Sequence, residues 1–207
     1  MHPNPIYRTA PRRAHVDFAR ARGFGSLAVN GPDGPLMSHI PFRLSEDGTR
    51  LEAHLVRSNP IFRLLADPQP AVIAVTGADA YVSPDWYGLE NQVPTWNYVA
   101  VHLRGRLEVL EQGDLHGILE RLSAQMESRI AGKTPWKIDK MDPDIYARMQ
   151  RQIVPVAMQV ETIDGTWKLN QNKTAAARLG AADGVEAAGI GSETAEMARL
   201  MRQVEGE

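Results

Sequence analysis

The chain has 207 residues, of which 43% are hydrophobic and 23% are charged, and its formal net charge is −2. This is the composition of an ordinary globular protein, and the small charge gives no overall field that would attract nucleic acid or an anionic membrane. The absence of cysteine excludes disulfides, thiolate catalysis and cysteine-based metal centres. The N-terminal stretch lacks the continuous apolar core of a signal peptide, and no window approaches a membrane span. We therefore expect a cytoplasmic protein with no membrane partner.

The first part of the chain predicts a short helix followed by an antiparallel meander. Residues 11–23 have a helical pattern that ends at Gly23. Three alternating stretches joined by turn-rich tetrapeptides then predict strands at 24–30, 35–45 and 50–57. In the second of these strands, one face carries Leu36, Ser38, Ile40, Phe42 and Leu44, and the other carries Met37, His39, Pro41 and Arg43.

The later part of the chain predicts further strands with helices inserted among them. The strands cover 71–77, 80–84, a long run from the 93–105 stretch to about Glu111, and 154–171. The helices cover 59–67, an insertion at about 113–153, and C-terminal helices at about 172–205, the first of which, "NKTAAARLG", ends at Gly180. Six or seven strands with late helices favour a mainly β protein with α decorations, built as a closed antiparallel barrel in one domain over 1–207. The alternative is an open sheet with helices on one face.

The first candidate site is the segment "HLVRSNPIF" at 54–62, where a strand ends and a helix begins. The first backbone N–H groups of a helix have no intrahelical partner, and the helix dipole favours an anion there. Arg57 adds a planar fork suited to phosphate oxygens, and Ser58 adds a hydroxyl donor beside Asn59. The alternative is a plain helix cap at Asn59 next to a solvated arginine.

The second candidate site is "TWKLNQNK" at 166–173. Lys168 and Lys173 bracket three amide side chains directly after a strand, and amides suit a ligand that both donates and accepts hydrogen bonds. The alternative is a polar strand end followed by a capped helix. We expect Trp167 to belong to the core rather than to stack on a cofactor.

The third candidate is "VPTWNYVAVHLRG" at 93–105, where Thr95, Trp96, Asn97 and Tyr98 gather at the start of a strand. With a period of two, the apolar face carries Asn97, Val99, Val101 and Leu103, and the opposite face carries Trp96, Tyr98, Ala100 and His102. The second face is too large and too polar for a small barrel interior. It therefore suits an interface or a pocket wall, the alternative being a cross-strand aromatic pair without a ligand.

Other kinds of site find little support in the sequence. His39, His54 and His102 all fall on predicted strands, but none has the close helical spacing of a metallohydrolase pair, so we expect no protein-bound metal. There is no nucleophile elbow, no serine–histidine–aspartate order and no dinucleotide-binding fingerprint.

The order of five blocks resembles the PaiB-type FMN-binding negative transcriptional regulators over nearly the whole chain. The blocks are "SHIPF" (38–42), "HLVRSNP" (54–60), "AYVSPDWY" (80–87), "VPTWNYVAVHLRG" (93–105) and "GTWKLNQNK" (165–173). The resemblance implies an FMN-binding split β-barrel of the pyridoxamine-phosphate-oxidase type. It also implies a homodimer with the flavin bound across the subunit interface.

The same resemblance implies roles for the candidate residues. Arg57, Ser58 and Asn59 would hold the FMN phosphate, and Ser38 and His39 would lie along the flavin edge. The cluster of Thr95, Trp96 and Asn97 would form an interface and pocket wall completed by the partner protomer. Three further residues would close the site, namely Lys168, Gln171 and Lys173.

Three functions are compatible with this sequence. The first is a transcriptional regulator that senses flavin or redox state, although no helix-turn-helix is visible and basic residues are scattered, so DNA binding has no support from charge. The second is a flavin reductase or oxidase without a role on DNA, in which FMN does the electron chemistry. The third is a haem-binding split barrel that uses a strand histidine as axial ligand.

Overall fold

The computed structural model of the chain describes residues 1–204. Its strands are β1 (Phe24–Gly31), β2 (Gly34–Leu44), β3 (Arg50–Val56), β4 (Gln69–Val82), β5 (Thr95–Val109), β6 (Ile153–Lys168) and β7 (Gly191–Ser192). Its α-helices are α1 (Arg12–Arg22), α2 (Leu115–Glu127), α3 (Pro143–Gln150), α4 (Ala175–Ala188) and α5 (Thr194–Arg202). Short 3₁₀ helices lie at Pro5–Tyr7, Pro60–Leu64, Pro84–Tyr87, Gln112–Asp114 and Ile138–Lys140. None of the helices within residues 1–204 is long and apolar enough to cross a membrane.

Six of the strands close into a ring. The sheet order is β1-β2-β3-β6-β5-β4-β7, and β1 also pairs with β4. The pairs β1–β2, β1–β4, β2–β3 and β3–β6 are all antiparallel. The two-residue strand β7 pairs with β4 and stands outside the ring. The fold is thus the predicted split β-barrel with helical decorations.

Residues 1–204 form two compact units. The first unit contains residues 1–15, 76–102 and the chain from 164 onward, and the second contains 16–75 and 103–163. The helical insertion predicted at 113–153 lies in the second unit as α2 and α3. The helices predicted at 172–205 lie in the first unit as α4 and α5, and residue 205 of that prediction lies outside the described residues.

The alternation predicted for the strands sets their buried faces. In β2, Ile40, Phe42 and Leu44 are at most 4% exposed, whereas Met37 on the other face is 63% exposed. In β5, the predicted core face is also buried. Its members are Asn97, Val99, Val101 and Leu103. The period of two therefore places His39 and Trp96 on the faces opposite the core, whereas Ser38, Thr95 and Asn97 lie on the core-facing sides of their strands.

The two strands predicted at 71–77 and 80–84 are in fact one continuous strand, β4. Gly77 and Asp79 break the apolar pattern, which is why the sequence predicts a gap. In the fold, Asp79 pairs with Ser192 of β7, and its carboxylate accepts a hydrogen bond from the Ser192 N–H at 3.0 Å. This pairing gives Asp79 a place in the sheet.

The helix predicted to end at Gly180 instead continues to Ala188 as α4. A Cβ at Gly180 would lie 2.8 Å from the carbonyl oxygen of Trp86, and one at Gly184 would lie 2.3 Å from Cδ2 of the Trp86 ring. These glycines therefore do not stop the helix. They let its backbone approach Trp86 more closely than any other residue would permit.

Candidate functional site

Five predicted site residues lie in the second unit, on β2 and around the end of β3. We call Ser38, His39, Arg57, Ser58 and Asn59 the strand-end cluster. The side-chain amide of Asn59 donates to the Ser38 hydroxyl at 3.0 Å, so the structure brings together a residue of β2 and a residue that follows the end of β3. His39 is exposed, and its Nδ1 lies 2.9 Å from the hydroxyl of Ser26 on β1.

The helix start in this cluster differs from the prediction. The predicted α-helix at 59–67 is a 3₁₀ helix of five residues, Pro60–Leu64. Pro60 has no N–H, the Ile61 N–H donates to the Asn59 side chain at 3.0 Å, and the Phe62 N–H donates to the Asn59 carbonyl at 3.0 Å. The prediction that free helix N–H groups would meet a phosphate is therefore wrong here, because proline and the Asn59 cap use them up.

The Arg57 guanidinium is exposed and already has two partners in the second unit. Its Nε donates to the main-chain carbonyl of Arg151 at 2.7 Å, and its Nη2 donates to Oε1 of Gln112 at 2.6 Å. A guanidinium has five N–H donors, so three remain for an anion. Arg57 and the exposed Ser58 hydroxyl are the groups of this cluster that can still meet a phosphate.

The other six predicted site residues lie in the first unit, at the start of β5 and the end of β6. We call Thr95, Trp96, Asn97, Lys168, Gln171 and Lys173 the lysine cluster. The Lys168 ammonium donates to the Thr95 hydroxyl and, at 2.8 Å, to the Trp96 carbonyl. Burial lowers the pKa of Lys168, since desolvation disfavours its charged form. This lysine therefore joins the ends of two strands.

The residues after β6 form a turn whose side chains bond to one another and to their neighbours. Gln171 accepts from the Leu169 N–H at 2.8 Å and donates to the Trp167 carbonyl. The Lys173 ammonium donates to the side chain of Gln92 and lies 4.8 Å from the centre of the Tyr87 ring. In this arrangement Gln171 fixes the turn, and Lys173 keeps two of its three N–H donors.

Two buried amides in the first unit lack full pairing. Asn97 is 0% exposed, and neither its Nδ2 nor its Oδ1 has a hydrogen-bond partner within the described part of the chain. Asn170, with φ 63, accepts from the Tyr87 hydroxyl at 3.2 Å, but its Nδ2 is also unpaired among residues 1–204. Leaving such groups unpaired costs about 1–3 kcal/mol each, so they mark places where a ligand or water would be stabilising.

The three strand histidines lie in different surroundings. His54 is half-buried beside a cavity of about 280 Å³, its Nδ1 has no partner among residues 1–204, and burial lowers its pKa. His102 lies on the face of β5 opposite the core. Residues 1–204 contain no group of three or more His, Asp or Glu side chains that could hold a metal ion.

Two residues that the sequence did not single out also shape the first unit. His15 is 6% exposed, and its Nδ1 accepts from the indole N–H of Trp167 at 3.1 Å. Arg178 is 4% exposed and donates to the carbonyls of Met201 and Val204 at 3.1 and 2.9 Å. The available sign for Arg178 was its spacing, because positions 181 and 182, three and four residues later, are alanines that lie on the same face of a helix.

One protein-family model matches most of this chain. The model described as "Putative FMN-binding domain" matches residues 1–162. This chain belongs to that family. The membership confirms the predicted family and supports FMN as the cofactor. The "PTWNY" block lies inside the matched residues of this FMN-binding family, and the "WKLNQNK" block lies beyond them.

The chain is also similar to individual known proteins, both in sequence and in structure. The chain is 30% identical over 159 residues to the Protease synthase and sporulation protein PAI 2 of Bacillus subtilis (strain 168), covering 76% of this chain and 75% of the relative. It is similar in structure to the flavocytochrome Anf3 from Azotobacter vinelandii, with TM-score 0.60 and 11% identity over 81% of this chain and 72% of that chain. It is also similar to the FAD and haem binding protein from Mycobacterium smegmatis, with TM-score 0.56 and 18% identity over 78% and 73%. At these identities the two structures show the fold alone.

Proposed function

We propose that this protein is a homodimeric flavoprotein that uses FMN to accept and pass on electrons. The observation that carries the proposal is that the FMN-binding family match, residues 1–162, spans all six strands of the ring up to Thr162 in β6. When bound, FMN supplies the electron chemistry, and the protein supplies orientation and electrostatics.

The residues of the strand-end cluster fit the phosphate end of FMN. Arg57 presents three unused N–H donors and Ser58 an exposed hydroxyl, whereas the capped helix start contributes no N–H. Asn59 holds Ser38 in place through its amide, so its role is to position the strand edge. Ser38 and His39 stay predicted as contacts along the flavin edge.

The lysine cluster is proposed as the wall of the flavin site and as part of the dimer interface. The unpaired amide of buried Asn97 offers both a donor and an acceptor, as the polar edge of a flavin ring requires. Trp96 is 48% exposed and rests edge-on against Tyr81, with ring centres 6.2 Å apart. Lys168, Gln171 and Lys173 are proposed to close the site, with the partner protomer completing it.

The absorption spectrum of the purified protein tests the proposal. We expect the blue and near-ultraviolet bands of oxidised flavin, release of FMN rather than FAD on denaturation, and loss of the bands on anaerobic reduction by a nicotinamide nucleotide. A colourless protein that fails to quench the fluorescence of added FMN at micromolar concentration would overturn it.

A role in controlling gene expression is the second candidate function. It is favoured by the 30% identity to the Bacillus subtilis relative, whose name links it to protease synthesis and sporulation. The first candidate predicts turnover of a reductant, and the second predicts binding to a specific operator without turnover. Measuring both on one preparation separates the two functions.

A haem-binding function is not proposed. The cavity beside His54 measures about 280 Å³. Sites for small molecules and cofactors usually span about 300–1,000 Å³, and haem is large within that range. His39 lies on an exposed strand face.

A further inference from the structure

The first unit contains a cleft of about 950 Å³ that lies mostly beyond the FMN-binding family match. One wall comes from residues 6–11 at the N-terminus, and the rest comes from residues 167–178 and 203–204. A cleft of this size is at the upper end of those that hold drug-sized ligands. The family assignment therefore leaves a ligand-sized site unexplained.

The charged side chains that line this cleft among residues 1–204 are both positive. Lys173 and Arg178 line it, and none of its lining residues within the described chain is acidic. Arg178 is 4% exposed, and its two hydrogen-bond partners among residues 1–204 are neutral main-chain carbonyls. Both carbonyls lie at the C-terminal end of α5, whose dipole offsets part of the positive charge, and an anion in the cleft would balance the remainder.

The start of α4 adds to this positive field. Thr174 caps the helix by accepting from the Ala177 N–H at 3.4 Å, and Ala175 at the first helical position lines the cleft. The N–H groups of the first helical turn have no intrahelical acceptors, and the helix dipole favours negative charge there. Together with Arg178, these groups bring positive charge to one side of the cleft.

Apolar side chains make up much of the remaining wall. They are Ile6, Ala10, Pro11, Trp167 and Leu169. Trp167 is held in position by its hydrogen bond to His15. A ligand that fills this cleft therefore needs an apolar body as well as a negative end.

We propose that this cleft binds a small organic acid, with its carboxylate toward Lys173 and Arg178 and a flat apolar body against Trp167. A carboxylate fits this cleft better than a phosphate. Lys173 and Arg178 each already donate hydrogen bonds to protein acceptors. A carboxylate has two oxygens and therefore needs fewer of the remaining N–H donors than a phosphate does. None of the residues that line this cleft belongs to the strand-end cluster proposed for the FMN phosphate, but Gln171 and Lys173 are shared with the residues proposed to close the flavin site, so the test uses FMN-saturated protein and FMN-free protein separately.

Calorimetric titration of the FMN-saturated protein with benzoate tests the site, and benzamide serves as the uncharged isostere. We expect saturable benzoate binding, with benzamide at least about tenfold weaker, because one charge-assisted hydrogen bond corresponds to roughly a tenfold or larger factor. Lys173→Met should weaken benzoate binding by about tenfold. Lys133→Met removes the same charge from a residue outside the cleft lining and should leave it unchanged.

Arg178→Gln should abolish benzoate binding if the variant folds. If it does not fold, Lys173→Met and the benzamide comparison carry the test. Equal binding of benzoate and benzamide, or equal effects of Lys173→Met and Lys133→Met, would overturn the proposal. So would displacement of benzoate by FMN from FMN-free protein, since the cleft would then be the flavin site itself.

Discussion

The Arg57 guanidinium donates to the main-chain carbonyl of Arg151 at 2.7 Å and so ties the end of β3 to the chain just before β6. A second donor of the same guanidinium, Nη2, donates to the side chain of Gln112. The two hydrogen bonds together hold this exposed side chain in one position. The remaining donors of its planar fork are therefore pre-organised, which lowers the entropy lost when a phosphate binds.

Replacing Arg57 with alanine should weaken FMN binding by about tenfold to a few hundredfold. Each charge-assisted hydrogen bond contributes roughly 1.5–3 kcal/mol, and 1.4 kcal/mol corresponds to a factor of ten. Riboflavin, which lacks the phosphate, should lose far less affinity. Fluorescence titration with both flavins measures the difference.

The matched control for this variant is Arg106→Ala. Arg106 is also exposed and also donates to a main-chain carbonyl, that of Pro68 at 2.6 Å, but it lies outside the strand-end cluster. It should leave both flavin affinities unchanged. If Arg57→Ala weakens FMN and riboflavin equally, or weakens neither, Arg57 does not contact the phosphate.

Local pattern was enough to predict the parts of the fold that depend on neighbours in sequence. The period of two placed Asn97 on the buried face of β5 and Trp96 on the outer face, and both placements are confirmed. The partners of Arg57 could not be found in this way. Gln112 and Arg151 lie 55 and 94 residues away, and no local rule relates them to a strand end.

The two errors in helix prediction have different causes, one long-range and one local. Gly180 looks like a helix stop in the sequence, but a packing partner, Trp86, lies nearly a hundred residues earlier and makes glycine necessary inside the helix. Conversely, the helix predicted at 59–67 is shortened because Asn59 and Pro60 favour a tight capped turn. Propensity therefore gives way to a tertiary contact at Gly180 and to a local cap at Asn59.

The glycines of two helices should respond to alanine with opposite signs. In α4, Gly184→Ala should lower the free energy of unfolding by about 1–3 kcal/mol, since the new Cβ would lie 2.3 Å from the Trp86 ring. In α2, a Cβ at Gly117 would lie 3.1 Å from Nη1 of Arg121, a contact that a shift of a few tenths of an ångström in this half-exposed side chain relieves. Gly117→Ala should therefore raise the free energy of unfolding by up to about 1 kcal/mol through helix propensity. Urea unfolding decides the signs, and stabilisation by both would show that α4 does not pack closely on Trp86.

The protein should be a homodimer whose interface includes Trp96 or Tyr98. A stable interface buries on the order of 1,200–2,000 Å², and tryptophan and tyrosine are its preferred anchors. Light scattering should give a dimer at micromolar concentration. Trp96→Ser should shift the mass toward the monomer, whereas Ile145→Ser, at a side chain of similar exposure, should not. A wild-type monomer, or equal dissociation of both variants, would contradict this interface.

The isolated protein should show no tight, general affinity for duplex DNA. Non-specific binding rests mainly on neutralising phosphates, and the net charge of this chain is −2. Fluorescence anisotropy with random duplex at about 150 mM salt should therefore detect no sub-micromolar binding. Such binding, with a steep dependence on salt, would reveal a concentrated basic surface. Binding to one operator sequence alone would instead support the regulatory function.

Stability should fall as the pH drops below about 6.5, the ordinary pKa of histidine. Burial lowers the pKa of His15, against a smaller opposing effect of Asp164, and burial also lowers the pKa of His54. Between the lowered pKa values of the folded chain and about pH 6.5, the unfolded chain binds more protons than the folded chain. The free energy of unfolding therefore rises with pH in this range. This contribution is complete above the unfolded pKa and is lost as the pH falls toward the folded values. Protonation of His15 Nδ1 would also remove the acceptor for Trp167.

The urea midpoint, measured between about pH 7.5 and pH 5, checks this expectation for the wild type and for His15→Gln, whose amide oxygen can still accept from Trp167. The variant should lose part of the pH dependence, and His54→Gln should lose another part. The two losses should add in the double variant, because the residues share no hydrogen-bond partner. The carboxylate of Asp47, whose pKa is lowered to about 2, acts in a more acidic range and does not enter this window. If the urea midpoint of the double variant changes with pH as steeply as that of the wild type, neither histidine is the source of the pH dependence.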